Sequence, residues 1–188
     1  MSGYLASIMQ ERPIVYLVAK FLRRQRIKFE LEYDHCDLFV DEKRIEFKFN
    51  YDRTEAGLAK ELAKNGDDLQ EMWSRAQAGE ISKTWGILAR IFKDVCGKEK
   101  KPHLFVWIIC SRDLSNIDSQ DLRCICLGRA QYKYNVTHPY DPDGELPKVD
   151  DFLAKLNAIR PFSLIKQDIK TNLDFPCTYH FRICEFTP

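Results

Sequence analysis

Between Cys36 and Asn50 the chain reads Cys-Asp-Leu-Phe-Val-Asp-Glu-Lys-Arg-Ile-Glu-Phe-Lys-Phe-Asn. Strand side chains change face at every residue. Ile45, Phe47 and Phe49 therefore fall on one side, and Glu46, Lys48 and Asn50 on the other. The pattern commits this segment to a half-buried strand. The short run Asp37 to Asp41 precedes it, and a turn centred on Glu42 and Lys43 would join the two as a β-hairpin. In that register Asp41 faces Arg44, Phe39 faces Glu46 and Asp37 faces Lys48. Directly opposed residues share a face, so Asp37, Glu46 and Lys48 converge. A slip of one residue would send Asp37 to the other face.

These residue types suit one chemistry. Two carboxylates, with backbone carbonyls and waters, make an oxygen-rich site for Mg²⁺, for which Mn²⁺ can substitute. Such a metal polarises a phosphoryl oxygen and lowers the pKa of a bound water. A lysine beside it orients the attacking water or offsets transition-state charge. A solvated strand face with alternating charges is the competing explanation.

The stretch from about 11 to 110 resembles the core of the PD-(D/E)XK nuclease superfamily, which includes restriction endonucleases. Asp37 matches the motif aspartate, and Glu46 and Lys48 match the (D/E)XK pair, with Glu46 nine residues after Asp37. Cys36 stands where proline is often found, and Asp34 and Asp41 are rival aspartates. The resemblance implies a restriction-endonuclease-like α/β core: a helix, a three-stranded meander, a helix and a further strand in a mixed central sheet flanked by helices. It also implies that Asp37 and Glu46 bind the metal and Lys48 positions the water. Some members carry an extra acid on the first helix, a role for which Glu11 is the candidate.

The rest of the chain fits one α/β domain over 1–188, with a core at about 11–110 and a C-terminal elaboration at about 111–188. From Ile14, the residues Leu17, Val18, Phe21 and Leu22 recur at helical spacing. That helix ends in Lys20, Arg23, Arg24, Arg26 and Lys28, a basic cluster suited to phosphate contacts. Phe29, Leu31 and Tyr33 alternate as a strand. Helical patterns then run from about Thr54 to Cys96. Leu104 to Cys110 reads as a buried strand, Arg123 to Asn135 as a further strand or strand pair, and Thr137 to Gly144 as a loop. Val149 to Ile159 reads as a helix and Thr178 to Phe186 as a last strand. Tyr132, Tyr134 and Tyr140, near Arg129 and Lys133, could stack on extruded bases.

Composition narrows the function classes. The 188 residues are 45% hydrophobic and 30% charged, with net charge +1. That balance argues against broad, sequence-independent nucleic-acid affinity but allows a local basic cleft. A second basic group is Lys98, Lys100 and Lys101. No apolar run approaches the ~18 residues of a membrane span, and no signal peptide is evident. Seven cysteines without a Cys-x-x-Cys pair read as reduced, buried thiols in a cytoplasmic protein. No Gly-x-Ser-x-Gly elbow and no Walker-type loop is present.

The expectation is a Mg²⁺-dependent endonuclease cutting DNA, in its concrete form a small type II restriction enzyme acting as a homodimer. A non-catalytic nucleic-acid- or protein-binding regulator on the same fold, and an RNA endonuclease, are the alternatives.

Overall fold

The computed structural model describes residues 11–51, positions 69, 71, 74 and 78, and residues 87–112, 142–171 and 177–187. Helix α1 spans Glu11–Arg24. Its inward stripe is Ile14, Val15, Val18, Ala19 and Leu22, which pack with Phe47 and Ile108 of the sheet or are buried beside them. Leu17 and Phe21, expected on that stripe, are 50% and 58% exposed. A helix advances 100° per residue, and the sheet covers only one side of it. The helix closes with Ile27 N–H donating to the Leu22 carbonyl and Arg26 N–H to that of Arg23. Arg26 has φ 60, an arginine where this kind of C-cap favours glycine.

The strands follow as β1 (Phe29–Leu31), β2 (Leu38–Val40) and β3 (Lys43–Tyr51). A short helix α2 (Ile87–Phe92) runs into a π-helical turn at Lys93–Gly97. Then come β4 (Leu104–Arg112), helix α3 (Pro142–Ile159), β5 (Phe162–Thr171) and β6 (Cys177–Phe186). They form a six-stranded mixed sheet in the order β1-β2-β3-β4-β6-β5. Among the described strands only the β3–β4 pairing is parallel.

Each face of the sheet has its own core. Leu38, Phe47 and Ile108 lie under α1. Phe105, Trp107, Ile109 and Cys184 lie under α2 and α3, whose Leu88, Ile91, Phe152, Leu153 and Leu156 are buried against them. Arg160, just past α3, anchors the π-helical turn. It donates to the carbonyls of Val95 at 2.5 Å and Pro102 at 2.6 Å, and its guanidinium lies 3.7 Å from the centre of the Phe186 ring.

Several local expectations change. β1 stops at Leu31 instead of running through Tyr33, because Glu32, Asp34 and His35 have φ 53, 51 and 63 and wind the chain into a 3₁₀ turn. α3 begins at Pro142, inside the expected loop, with proline at the first helical position where its missing N–H costs nothing. β5 carries no clean alternation, since every residue from Ile165 to Lys170 is exposed. Most of the 54–86 helical region, the Arg123–Asn135 strand and Tyr132, Tyr134, Tyr140, Arg129 and Lys133 lie outside the described residues. Among the described residues no helix is long and apolar enough to cross a membrane. Cys36, Cys96 and Cys184 are free thiols, two of them buried. Burial pushes Cys184 up to about 12 and, with Glu46 adding to it, Cys36 up to about 11.

Candidate functional site

The hairpin sets the site. Its turn is Asp41-Glu42, with φ 50 and 60, and Val40 pairs with Lys43. Positive φ at both central residues is what a two-residue type I′ turn requires, and aspartate tolerates it better than most residues. The turn therefore sits one residue earlier than Glu42-Lys43. Phe39 pairs with Arg44, not Glu46, and Leu38 with Ile45. One step further, Asp37 stands opposite Glu46 instead of Lys48. The shift is an even number of residues, so the three side chains keep their shared face.

Asp37 is held by its neighbour strand: its Oδ2 accepts the Phe47 N–H at 2.7 Å. Glu46 is 4% exposed. Its Oε1 lies 2.9 Å from Lys48 Nζ, and its Oε2 lies 3.1 Å from Lys98 Nζ. Both ammonium groups also meet Asp94 of the π-helical turn, at 3.1 Å from Lys48 and 3.4 Å from Lys98. Lys98 further donates to the His35 carbonyl at 2.6 Å. The result is a ring of Glu46, Lys48, Asp94 and Lys98, with Asp37 beside it. It lies on the α2 face of the sheet, where β3 runs parallel to β4 and Glu46 and Lys48 pair with Phe105 and Trp107.

Three carboxylates share two ammonium groups here, and the titration follows from that. Burial pushes the Glu46 carboxyl up to about 7; Lys48 opposes this, while Asp37 and Asp94 reinforce it. Asp37 is also raised, by burial, against the pull of the Phe47 N–H and the two lysines. Burial works against the charge on Lys98, but Glu46 and Asp94 outweigh it and hold its pKa above the usual value.

A stability consequence follows. The folded state keeps the Glu46 proton to higher pH than the unfolded chain does. Between about 4.5 and 7 the unfolded state thus binds fewer protons, and stability falls as pH rises through that window. Glu46→Gln removes this titration. Its melting temperature relative to wild type is expected to climb from about pH 5 to about pH 8. A difference that stays flat or shrinks with pH would show that Glu46 is held as a simple ion pair.

Asp94 and Lys98 were not singled out as site residues in the sequence. Lys98 was legible only as part of the Lys98–Lys101 basic run; Asp94 and Lys98 lie four apart, a spacing that lets them pair across a helical turn. That run, not the earlier one, meets the acids: Lys100 also pairs with the rival Asp34 at 2.8 Å. Asp34 is thereby engaged at the rim, and Asp41 is spent in the turn. His35 contributes its backbone carbonyl, and its side chain is exposed.

Lys20, Arg23, Arg24, Arg26 and Lys28 are all exposed. Arg23, Arg26 and Lys28 line an open cleft of about 680 Å³ with Phe29, Phe39 and Asp41. The cleft lies toward the hairpin turn, and its lining on this strand begins at Phe39, two residues beyond Asp37. Glu11 opens α1, and α1 packs on the face opposite Glu46; the Glu11 side chain lies outside the described residues.

Among the described residues no group of three or more His, Cys, Asp or Glu stands as a metal-holding array. Mg²⁺ asks less than that: one or two protein carboxylates, with waters and substrate phosphates completing its shell. Asp37 and Glu46 supply two hard oxygen donors, and the surplus of acids over lysines favours a cation. Both Glu46 oxygens carry an ammonium group, so a metal would take the place of at least one lysine contact. Comparison with protein-family models, with curated proteins and with solved structures returned no match.

Proposed function

We propose that this protein is a metal-dependent phosphodiester hydrolase of the PD-(D/E)XK kind, cutting DNA. The observation that carries the reading is the approach of Asp37, just ahead of β2, to Glu46 and Lys48 on β3. The order helix, meander, helix and further strand is compatible with the one that the resemblance implies. Asp37 and Glu46 would hold Mg²⁺, with Mn²⁺ able to substitute. When bound, the metal would supply charge neutralisation at a phosphoryl oxygen and a more acidic water. Lys48, fixed by Glu46 and Asp94, orients the attacking water and offsets developing charge. The Arg23–Arg26–Lys28 cleft takes the phosphate backbone. A small restriction endonuclease working as a homodimer is the concrete version.

One observation favours a second reading. Lysine ammonium groups occupy both oxygens of Glu46, and Asp94 closes the ring. In a binding or regulatory protein on this scaffold, that ring would serve only to lock the π-helical turn to the sheet.

Cleavage of supercoiled plasmid and of single-stranded RNA with Mg²⁺ or Mn²⁺, comparing wild type with Glu46→Ala, separates the readings. Metal-dependent products that vanish in the variant are expected on DNA. Loss of the RNA products alone would make it an RNA endonuclease. No cleavage, or cleavage unaffected by the substitution, would leave the regulator.

A further inference from the structure

The two edges of the sheet differ. β1 has three residues, whereas β5 has ten and pairs only with β6 among the described residues. Among the described residues no strand covers that edge, and an edge of that length presents a row of backbone donors and acceptors to another strand. From Ile165 to Lys170 every side chain is exposed, and Ile165 and Ile169 are 52% and 44% exposed. We infer that β5 is the docking edge for a second copy of this chain, paired antiparallel about a two-fold axis through Gln167.

The sequence of β5 is complementary to itself in that register and in no neighbouring one that keeps the faces. With Gln167 opposite its own copy, Lys166 faces Asp168 of the partner subunit, and Asp168 faces the partner subunit's Lys166. On the other face Ile165 meets the partner subunit's Ile169, and the reverse. Two opposite-charge pairs and two apolar pairs thus form by symmetry. A slip one way places Lys166 against the partner's Lys166. A slip the other way places Asp168 against the partner's Asp168, and Lys166 against the partner's Lys170. Like charges directly opposed are unfavourable in a sheet, so register is specified.

The charged pair also stands ready in the single subunit. Lys166 Nζ lies 2.6 Å from Asp150, and Asp168 Oδ1 lies 3.0 Å from His180 Nδ1 and 3.3 Å from Arg182. These contacts fix both side chains against α3 and β6, while leaving Lys166 49% and Asp168 51% exposed. The partner would add a second counter-ion to each. Two copies joined this way continue one sheet across twelve strands, from two sheets of six. This inference does not rest on the nuclease reading.

Sedimentation velocity on the full chain tests it. Wild type is expected to dimerise. Lys166→Asp and Asp168→Lys, each alone, turn both charge pairs into like pairs and should weaken the dimer roughly tenfold or more. Mixing the two variants restores opposite charges across the edge, so the mixture should dimerise when neither does alone. Circular dichroism of each variant shows whether it is folded. Gln167→Cys provides a readout of register that leaves the charges in place: oxidation should link it to a dimer, and Ile165→Cys should link far less. A wild type that stays monomeric would overturn the inference. So would a dimer indifferent to both charge variants, or equal cross-linking at 165 and 167.

Discussion

Lys48→Met is expected to slow metal-dependent DNA cleavage by about 10²–10³-fold, the usual cost of removing one positioned electrostatic group. The effect follows from what the lysine touches. Its Nζ bridges Glu46 and Asp94, and its side chain is only 14% exposed. Methionine keeps the apolar stem between β3 and α2. Lys98 is then the one ammonium group left against Glu46 and Asp94, so the variant should lose some stability, and circular dichroism at the assay temperature shows that it is folded. Single-turnover rates at saturating Mn²⁺ are the measurement, because saturation removes any change in metal affinity. Lys98→Met is the companion. It frees a Glu46 oxygen and should leave the saturated rate far less affected. Equal activity of Lys48→Met and wild type would remove Lys48 from the chemistry. A reversed pattern, with Lys98→Met dead and Lys48→Met active, would make Lys98 the working cation.

The meander and the buried strand were legible because their patterns are local. Ile45, Phe47 and Phe49 alternate with Glu46 and Lys48, and the Leu104–Cys110 run is apolar throughout, so both strands lie where their sequences place them. Register was harder. The exact turn depended on whether Asp41 or Lys43 would accept a positive φ, and a type I′ turn without glycine gives no strong signal. The shared face survived only because the difference was an even number of residues. Asp94 and Lys98 enter the site through tertiary structure: a π-helical turn, tied to the end of α3 by Arg160. No spacing rule joins residue 46 to residue 98. The outer half of β5 was hidden for a different reason. Its charged and apolar residues from Ile165 to Lys170 are all exposed in one subunit, and with no core to face they carry no alternation to read.

Phe152→Ala should destabilise the protein by about 3–5 kcal/mol, as large-to-small changes at fully buried aromatics do. Phe152 of α3 is 0% exposed and meets the Trp107 ring edge-on, with centroids 5.8 Å apart. Truncation leaves a cavity and also forfeits an aromatic pair worth roughly 0.5–1.5 kcal/mol. Trp107 is the cross-strand neighbour of Lys48 on one side and of Arg182 on the other. One apolar cluster therefore carries both the acid–lysine ring and the Arg182–Asp150 pair, the latter 2.9 Å apart. Urea unfolding followed by tryptophan fluorescence and by circular dichroism reads this directly. With a common core, both probes should shift together to a lower midpoint at unchanged slope. Separate transitions, with only one displaced, would mean that α3 and the β5–β6 hairpin fold apart from the meander that holds Asp37, Glu46 and Lys48.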